Sequence, residues 1–347
     1  IGDKILKITA EVLRDCVKGR DLVARYGGEE FVILLPDTPL KGALILAGDH
    51  LYRMDYKPMF EFHLASGAEA TVAVQPINTT DAGRFGVLKR DASQRITRFA
   101  EKPKDPATLA EMVSRDDSQR PYLGSMGIYL FNTATLIDLL ESHLEYDDFG
   151  KDVIPSSIAS HRVFGFDFDD YWEDIGTIRS FYQTNLALTD PKPPFNFYDP
   201  IHPIYTHARF LPGSIIQDSV LKRALVAEGC CIQKAHIVHS IIGLRSQIHC
   251  GVTIRDSIIM GADYYEEPTC EGVPRQPGKK IPIGIGDNTE INCAIIDKNA
   301  RIGNGVKILP FKRGTELDGI NYVVRDGVVV IPKDAILDDG TIIAPDS

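Results

Sequence analysis

Apolar residues recur along this 347-residue chain in three rhythms, and each rhythm predicts a different kind of structure. In residues 4–16, Ile5, Ile8, Val12 and Cys16 fall on one face of a 3.6-residue period, which predicts an amphipathic helix. A strand is predicted over 22–26, a turn at Gly27-Gly28 and a second strand over 31–35. From residue 43 the pattern becomes strand–helix alternation, with strands at 44–47, 70–76, 85–89, 96–101, 127–131 and 163–168 and helices at 54–65 and 133–142. Strands mixed with covering helices predict an α/β fold, in which ligands sit beyond the carboxyl ends of strands. Gly48-Asp49 follows the first of these strands at such a position.

A Pro-rich run over 190–200 predicts a semi-rigid linker reaching residue 209. Beyond it the apolar period becomes six: Ile242, Ile248 and Ile254, then Ile285 and Ile291, then Ile296, Ile302 and Ile308. Gly243, Gly251, Gly286, Gly303 and Gly305 mark corners. A six-residue apolar repeat predicts a parallel β-helix, because each coil stacks its aliphatic side chain on the last. The polar, Gly/Pro-rich stretch 261–284 breaks the rhythm and is predicted to leave the coil as a loop. The expected organisation is a fragment over 1–38, an α/β domain over 39–189, a linker over 190–209 and a β-helix over 210–347.

Composition narrows the function classes. A net charge of −10 with no block of Lys/Arg argues against nucleic acid, which needs a basic face to displace counterions. No apolar run approaches a bilayer span, so no membrane partner is expected. The opening Ile1-Gly2-Asp3-Lys4 lacks the order of a secretory signal, and without Met it suggests that an N-terminal portion is missing. Cys16, Cys230, Cys231, Cys250, Cys270 and Cys293 form no C-x-x-C pair and read as reduced thiols. His236, His239, His249 and Cys250 are candidate metal ligands by type, but they fall inside the hexad repeat, which explains them better.

Six ordered runs carry a family resemblance. They are Leu44-Ile-Leu-Ala-Gly-Asp-His-Leu-Tyr-Arg-Met-Asp-Tyr56, Phe85-Gly-Val87, Glu101-Lys-Pro103, Ser125-Met-Gly-Ile-Tyr129, Asp148-Phe-Gly-Lys-Asp152 and Tyr171-Trp-Glu-Asp-Ile-Gly-Thr177. With the β-helix behind them, residues 44–347 resemble the ADP-glucose pyrophosphorylase family. Met260-Gly-Ala-Asp-Tyr-Tyr265, the run 295–303 and the ending 328–335 are similar to its cyanobacterial and plant branch. The resemblance implies a Rossmann-like nucleotidyltransferase sheet followed by a left-handed parallel β-helix. It also implies attack of a glucose-1-phosphate oxygen on the α-phosphorus of ATP, giving ADP-glucose and pyrophosphate. Such transfers need in-line positioning and cancellation of negative charge by Mg²⁺ and cations. By resemblance, Asp49 and Asp174 are the metal carboxylates, and Lys102 holds the sugar phosphate. Glu101 and Ser125 meet sugar hydroxyls, and Gly86 lets the backbone approach. Lys298 and Lys333, with Arg325, match an effector site for phosphorylated glycolytic intermediates. Family members are homo- or hetero-tetramers of the cytoplasm, or of plastids in plant-like sources.

The family's ATP loop, G-x-G-T-R-L-x-P-L-T, does not occur in this sequence, so the lone chain is expected to be inactive in making ADP-glucose. Residues 1–38 resemble instead the end of a GGDEF-type diguanylate cyclase, through Asp21-Leu-Val-Ala-Arg-Tyr-Gly-Gly-Glu-Glu-Phe-Val-Ile-Leu-Leu-Pro-Asp37 and Gly2-Asp3. That resemblance implies that Gly27 and Gly28 approach GTP and that Glu30 helps bind metal. Lys18-Gly-Arg-Asp21 carries Lys where that family's inhibitory R-x-x-D site has Arg. The junction over 36–43 cuts both parents inside a sheet, so exposed strand edges and a destabilised α/β part are expected beside a well-formed β-helix. Two other readings are a non-catalytic effector-binding or assembly subunit and a signalling fragment.

Overall fold

A computed structural model describes residues 22–27, 30–35, 42–194, 196–201, 204, 208–266 and 280–345. The helix expected over 4–16, the run 18–21, Gly28 and residues 36–41 lie outside them. The chain divides into two compact units, Ile1–Trp172 and Glu173–Ser347.

The first unit is built on one mixed sheet. The unit's strands are β1 (Leu22–Gly27), β2 (Glu30–Leu35), β3 (Gly42–Ala47), β4 (His50–Tyr52), β5 (Ala70–Ile77), β6 (Gly86–Arg90), β7 (Ile96–Glu101), β8 (Tyr122–Asn132) and β9 (Val163–Asp167), all but β4 in that sheet. Its helices are α1 (Lys57–Ala65), α2 (Thr79–Ala82), α3 (Pro106–Glu111), α4 (Thr133–Ser142) and α5 (Ile154–Ser160), with a π-helical turn (Phe149–Val153) running into α5. The main path of the sheet is β1-β2-β3-β8-β5-β9, and β6 joins β7 to β8. Only β5 and β9 run parallel among these pairs.

Alternation along the strands sends side chains to two cores. Ala43, Ile45, Val72, Val74 and Phe131 pack on one face with Leu136 and Leu139 of α4. Leu44, Ala73 and Leu130 pack on the other with Met59 of α1. A period of two with both faces covered makes these strands read as continuous apolar runs. Helix α1 starts at Lys57 rather than at residue 54, because Pro58 occupies its first turn, where a missing N–H costs nothing.

Of the strand edges expected to be exposed, one is covered. The edge of β3 is not bare: β2 pairs with it antiparallel over six consecutive residues, from Glu30↔Ala47 to Leu35↔Gly42. Backbone pairing depends on strand geometry rather than on side-chain identity, so the hairpin completes the ladder.

In the second unit, α6 (Ile178–Ala187) opens with a capping box between Thr177 and Ser180. Its Tyr182 and Leu186 pack on Ile258, Ile295 and Val328 of the coils. The hexads become three aliphatic ladders. Ile237, Ile254, Ile291, Ile308 and Ile343 stack in one, and Ile232, Ile248, Ile285, Ile302 and Leu337 in a second. Ile242, Ile259, Ile296 and Ile331 form the third. Gly243 stands where a Cβ would lie 2.4 Å from the Met260 carbonyl oxygen, so the next coil leaves no room for a side chain. Most of the insertion expected over 261–284 lies outside the described residues, and a hairpin of Leu317–Asp318 with Val323–Arg325 leaves the coil, which the sequence pattern did not announce.

The cysteine reading is also corrected. Cys231 is disulfide-bonded, with its partner outside the described residues, while Cys230, Cys250 and Cys293 are free. Pairing needs Cα atoms within about 7 Å, which spacing in the sequence does not decide. Among the described residues no helix is long and apolar enough to cross a membrane.

Candidate functional site

A row of side chains runs along the first unit from Glu101 to Asp49. Glu101 ends β7 opposite Gly86 of β6. A Cβ on Gly86 would lie 2.4 Å from Phe99 Cζ and 2.9 Å from Glu101 Oε2, so this glycine makes room for the acid and the ring. A Cβ on Gly150 would lie 2.9 Å from the same Oε2. Burial between the two glycines pushes the Glu101 carboxyl above its ordinary pKa, against the opposing charge of Lys102. Lys102 Nζ lies 3.7 Å from Glu101 Oε1 and is largely exposed. Its backbone is in the left-handed region (φ 44°), and its N–H donates to the Phe85 carbonyl. A lysine so held is a small store of strain of the kind that clusters at working sites.

The π-helical turn brings Gly150 to this point. The Asp148 carboxylate accepts from Lys151 N–H at 2.8 Å, and the Asp152 carboxylate accepts from Asp148 N–H at 3.2 Å. These reciprocal caps explain why Asp-Phe-Gly-Lys-Asp starts a helix, and Val153 N–H reaching the Asp148 carbonyl widens its first turn. The Asp148 charge also raises the Lys151 ammonium pKa. Phe149 stacks on Tyr129 at 5.8 Å, and the Tyr129 hydroxyl accepts from buried Ser125 at 3.4 Å.

Ser125 sits at a bulge. Pairing of β5 with β8 steps from Val72↔Tyr129 to Val74↔Ser125, so β8 carries two extra residues. Gly127 turns there at φ 63°, and a Cβ on it would lie 2.8 Å from Ala47 Cβ and 3.1 Å from His50 Cε1. Bulges of this kind re-aim side chains beside active sites. His50 Nδ1 lies 2.7 Å from the Met126 carbonyl and 3.3 Å from the Trp172 indole N–H, and Nε2 faces Asp49 at 3.5 Å. Trp172 meets His50 edge to face at 5.2 Å and Phe85 at 4.8 Å. The row therefore unites Gly86, Glu101, Lys102, Ser125 and Asp49. Asp174 belongs to the second unit, where its carboxylate accepts from Gly176 N–H at 2.7 Å.

The β-helix brings two of the three expected effector residues together. Lys298 and Lys333 both reach the Asp263 carboxylate. Arg325 is engaged with Asp318 at 2.5 Å and Glu316 at 3.7 Å.

A family model described as nucleotidyl transferase matches residues 31–191, and one described as the GLGC left-handed parallel beta-helix domain matches residues 209–342. That is the ADP-glucose pyrophosphorylase architecture. The two domains mark a sugar-phosphate nucleotidyltransferase, whose general substrates are a nucleoside triphosphate and a sugar phosphate. The row offers a carboxylate, an ammonium, hydroxyls and an aromatic stack. Sequence reasoning gave no role to His50, Tyr129, Asp148, Phe149, Gly150 or Trp172, although all six lie within the quoted runs. The signal was there in the Gly127 bulge and the Asp148 cap, which displace their neighbours toward the named residues.

Proposed function

We propose that the chain is a glucose-1-phosphate adenylyltransferase-type protein of glycogen or starch synthesis, with the row from Glu101 to Ser125 as its sugar-phosphate half-site. The observation that carries this reading is Glu101 held between Gly86 and Gly150 with Lys102 and Lys151 beside it. Glu101 and Ser125 would meet sugar hydroxyls, and Lys102 would hold the phosphate as a mobile point charge. The stacked Tyr129 and Phe149 would exclude water from the sugar. Asp49, just past β3, offers hard carboxylate oxygen, which fits Mg²⁺. When bound, the ion would neutralise charge on the reacting phosphates. His50 would orient Asp49 through its bond to the Met126 carbonyl.

The test is ADP-glucose formation from ATP and glucose-1-phosphate with Mg²⁺, comparing the chain with Asp49→Asn. Turnover lost in the variant supports the assignment. Glucose-1-phosphate binding is measured alongside, because the sequence carries no G-x-G-T-R-L run and turnover by the lone chain is expected to be absent. Binding abolished by Lys102→Ala supports the half-site without turnover; binding indifferent to it overturns the reading.

A second reading, an effector-binding subunit without turnover, is favoured by Lys298 and Lys333 converging on one point. Two ammonium groups on adjacent coils suit a phosphorylated carboxylic acid of the glycolytic kind. Effector binding in a chain that makes no ADP-glucose would select this reading.

A further inference from the structure

The two lysines do not stand open. Lys298 Nζ donates to Asp263 Oδ1 at 2.9 Å, Lys333 Nζ donates to Oδ2, and Asn299 Nδ2 donates to Oδ2 at 3.2 Å. One internal carboxylate thus takes the donors that an external anion would use. Burial alone would raise the Asp263 carboxyl, but hydrogen bonds from Lys333 and Lys298 outweigh it and hold it well below the usual carboxylate range. The three sides of the cluster come from stacked coils, since Ile259 pairs with Ile296 and Ile296 with Ile331.

The backbone around Asp263 is anchored independently of its carboxylate. Asp263 N–H donates to Asn299 Oδ1 at 2.8 Å, Ala262 N–H donates to the Leu244 carbonyl at 2.8 Å, and Arg245 Nη1 donates to the Ala262 carbonyl at 3.2 Å. Releasing the lysines therefore needs only rotation of a side chain that is about one-third exposed (35%). Of the other charges here, Asp297 accepts from Lys298 N–H at 2.6 Å, and Asp334 and Asp297 add to Asp263 in raising the Lys333 ammonium pKa. With Asp263 in place both ammonium groups spend a hydrogen bond on one carboxylate; rotated out, it would leave both without that partner.

We propose that Asp263 is a tethered competitor, whose carboxylate occupies the two-lysine site and must leave before a phosphate-bearing ligand can enter. This rests on the effector reading of Lys298 and Lys333 and adds the device that sets its threshold. A phosphate dianion offers three acceptor oxygens against two, so it can displace a monoanionic carboxylate at sufficient concentration. The tether makes that concentration depend on residue 263.

The test is titration of the full chain with inorganic phosphate by calorimetry, for the parent, Asp263→Asn, Asp263→Ser and the double variant Lys298→Gln/Lys333→Gln. Asparagine keeps the shape and removes the charge, so phosphate should bind about three- to tenfold tighter. Serine, which removes the reach as well, should shift binding in the same direction, and circular dichroism checks that both variants fold. Affinity unchanged or weakened in both folded variants overturns the proposal, as does absence of phosphate binding in the parent and both variants. The double lysine variant separates the two ideas. If it loses the phosphate binding of the parent while Asp263→Asn gains nothing, the effector site stands and the competitor falls. If it binds like the parent, both fall.

Discussion

At the scale of single residues, His63 shows how burial turns a titratable group into a pH sensor of stability. Asn132 Nδ2 donates to the Ala68 carbonyl, so Asn132 Oδ1 is the atom facing His63 Nε2 at 3.3 Å and must accept. Nδ1 then accepts from the Thr71 hydroxyl at 2.7 Å, which describes a neutral ring in one tautomer. Burial lowers its pKa, although the Asn132 bond works the other way. Below about pH 6.5 the unfolded chain takes up a proton that the folded one resists. Stability should therefore be full above that pH and fall as pH drops toward the depressed folded value. Urea titrations of the parent and His63→Gln at pH 7.5 and 5.5 check it: the parent should lose more stability than the variant.

Glu101 is the opposite case, since its raised pKa means that the charged form costs folding energy at neutral pH. Glu101→Gln should raise the unfolding midpoint at pH 7 while weakening glucose-1-phosphate binding, read by thermal scan and calorimetry. Gly150→Ala makes a finer test. Its methyl would crowd the end of the Glu101 side chain and only touch the Asp148 carboxylate at 3.4 Å, so stability should change by less than about 1 kcal/mol. Sugar-phosphate affinity should still fall, because Glu101 would be displaced.

Elements are decided by how closely neighbours approach. At Gly261 the backbone has φ 84°, and a Cβ would lie 2.1 Å from the Leu244 carbonyl oxygen of the adjacent coil. Gly261→Ala should cost about 2–4 kcal/mol through left-handed strain and overlap. The loss should appear in chemical unfolding followed by a reporter in the β-helix. Past this point the insertion is anchored by Glu266, whose carboxylate binds buried Arg301 and accepts from Ile283 N–H at 3.0 Å. Those bonds hold the Glu266 carboxyl down at a pKa of about 2. The hexad revealed the coils because each ladder needs an aliphatic residue at every return. It did not reveal the hairpin at Leu317–Arg325, whose strands pair antiparallel and follow no six-residue rule. Strand β8 was foreseen only from Gly127 onward, because its bulge splits one strand into two short patterns.

Across the whole molecule, the hairpin β1–β2 completes the sheet edge at β3. Removing residues 1–41 should expose that edge, promote aggregation and lower the stability of the first unit. The unfolding of the second unit, followed by hydrogen exchange in its ladders, should be unaffected. Equal loss in both units would show that the hairpin does more than cover an edge.

The sequence by itself determined the two architectures, since periods of two and six are local consequences of which faces must be buried. It also supplied the chemical types of the candidate site, because Asp49, Glu101, Lys102 and Ser125 stand in recognisable runs. Only the tertiary structure decided what those residues touch. Gly150 meets Glu101 across 49 positions of sequence, and Asp263 meets Lys298 and Lys333 across 35 and 70. The pairing of β2 with β3 and the bonding of Cys231 were likewise settled by proximity. Periodicity records the side of an element on which a residue lies, whereas a contact depends on the path of the intervening chain.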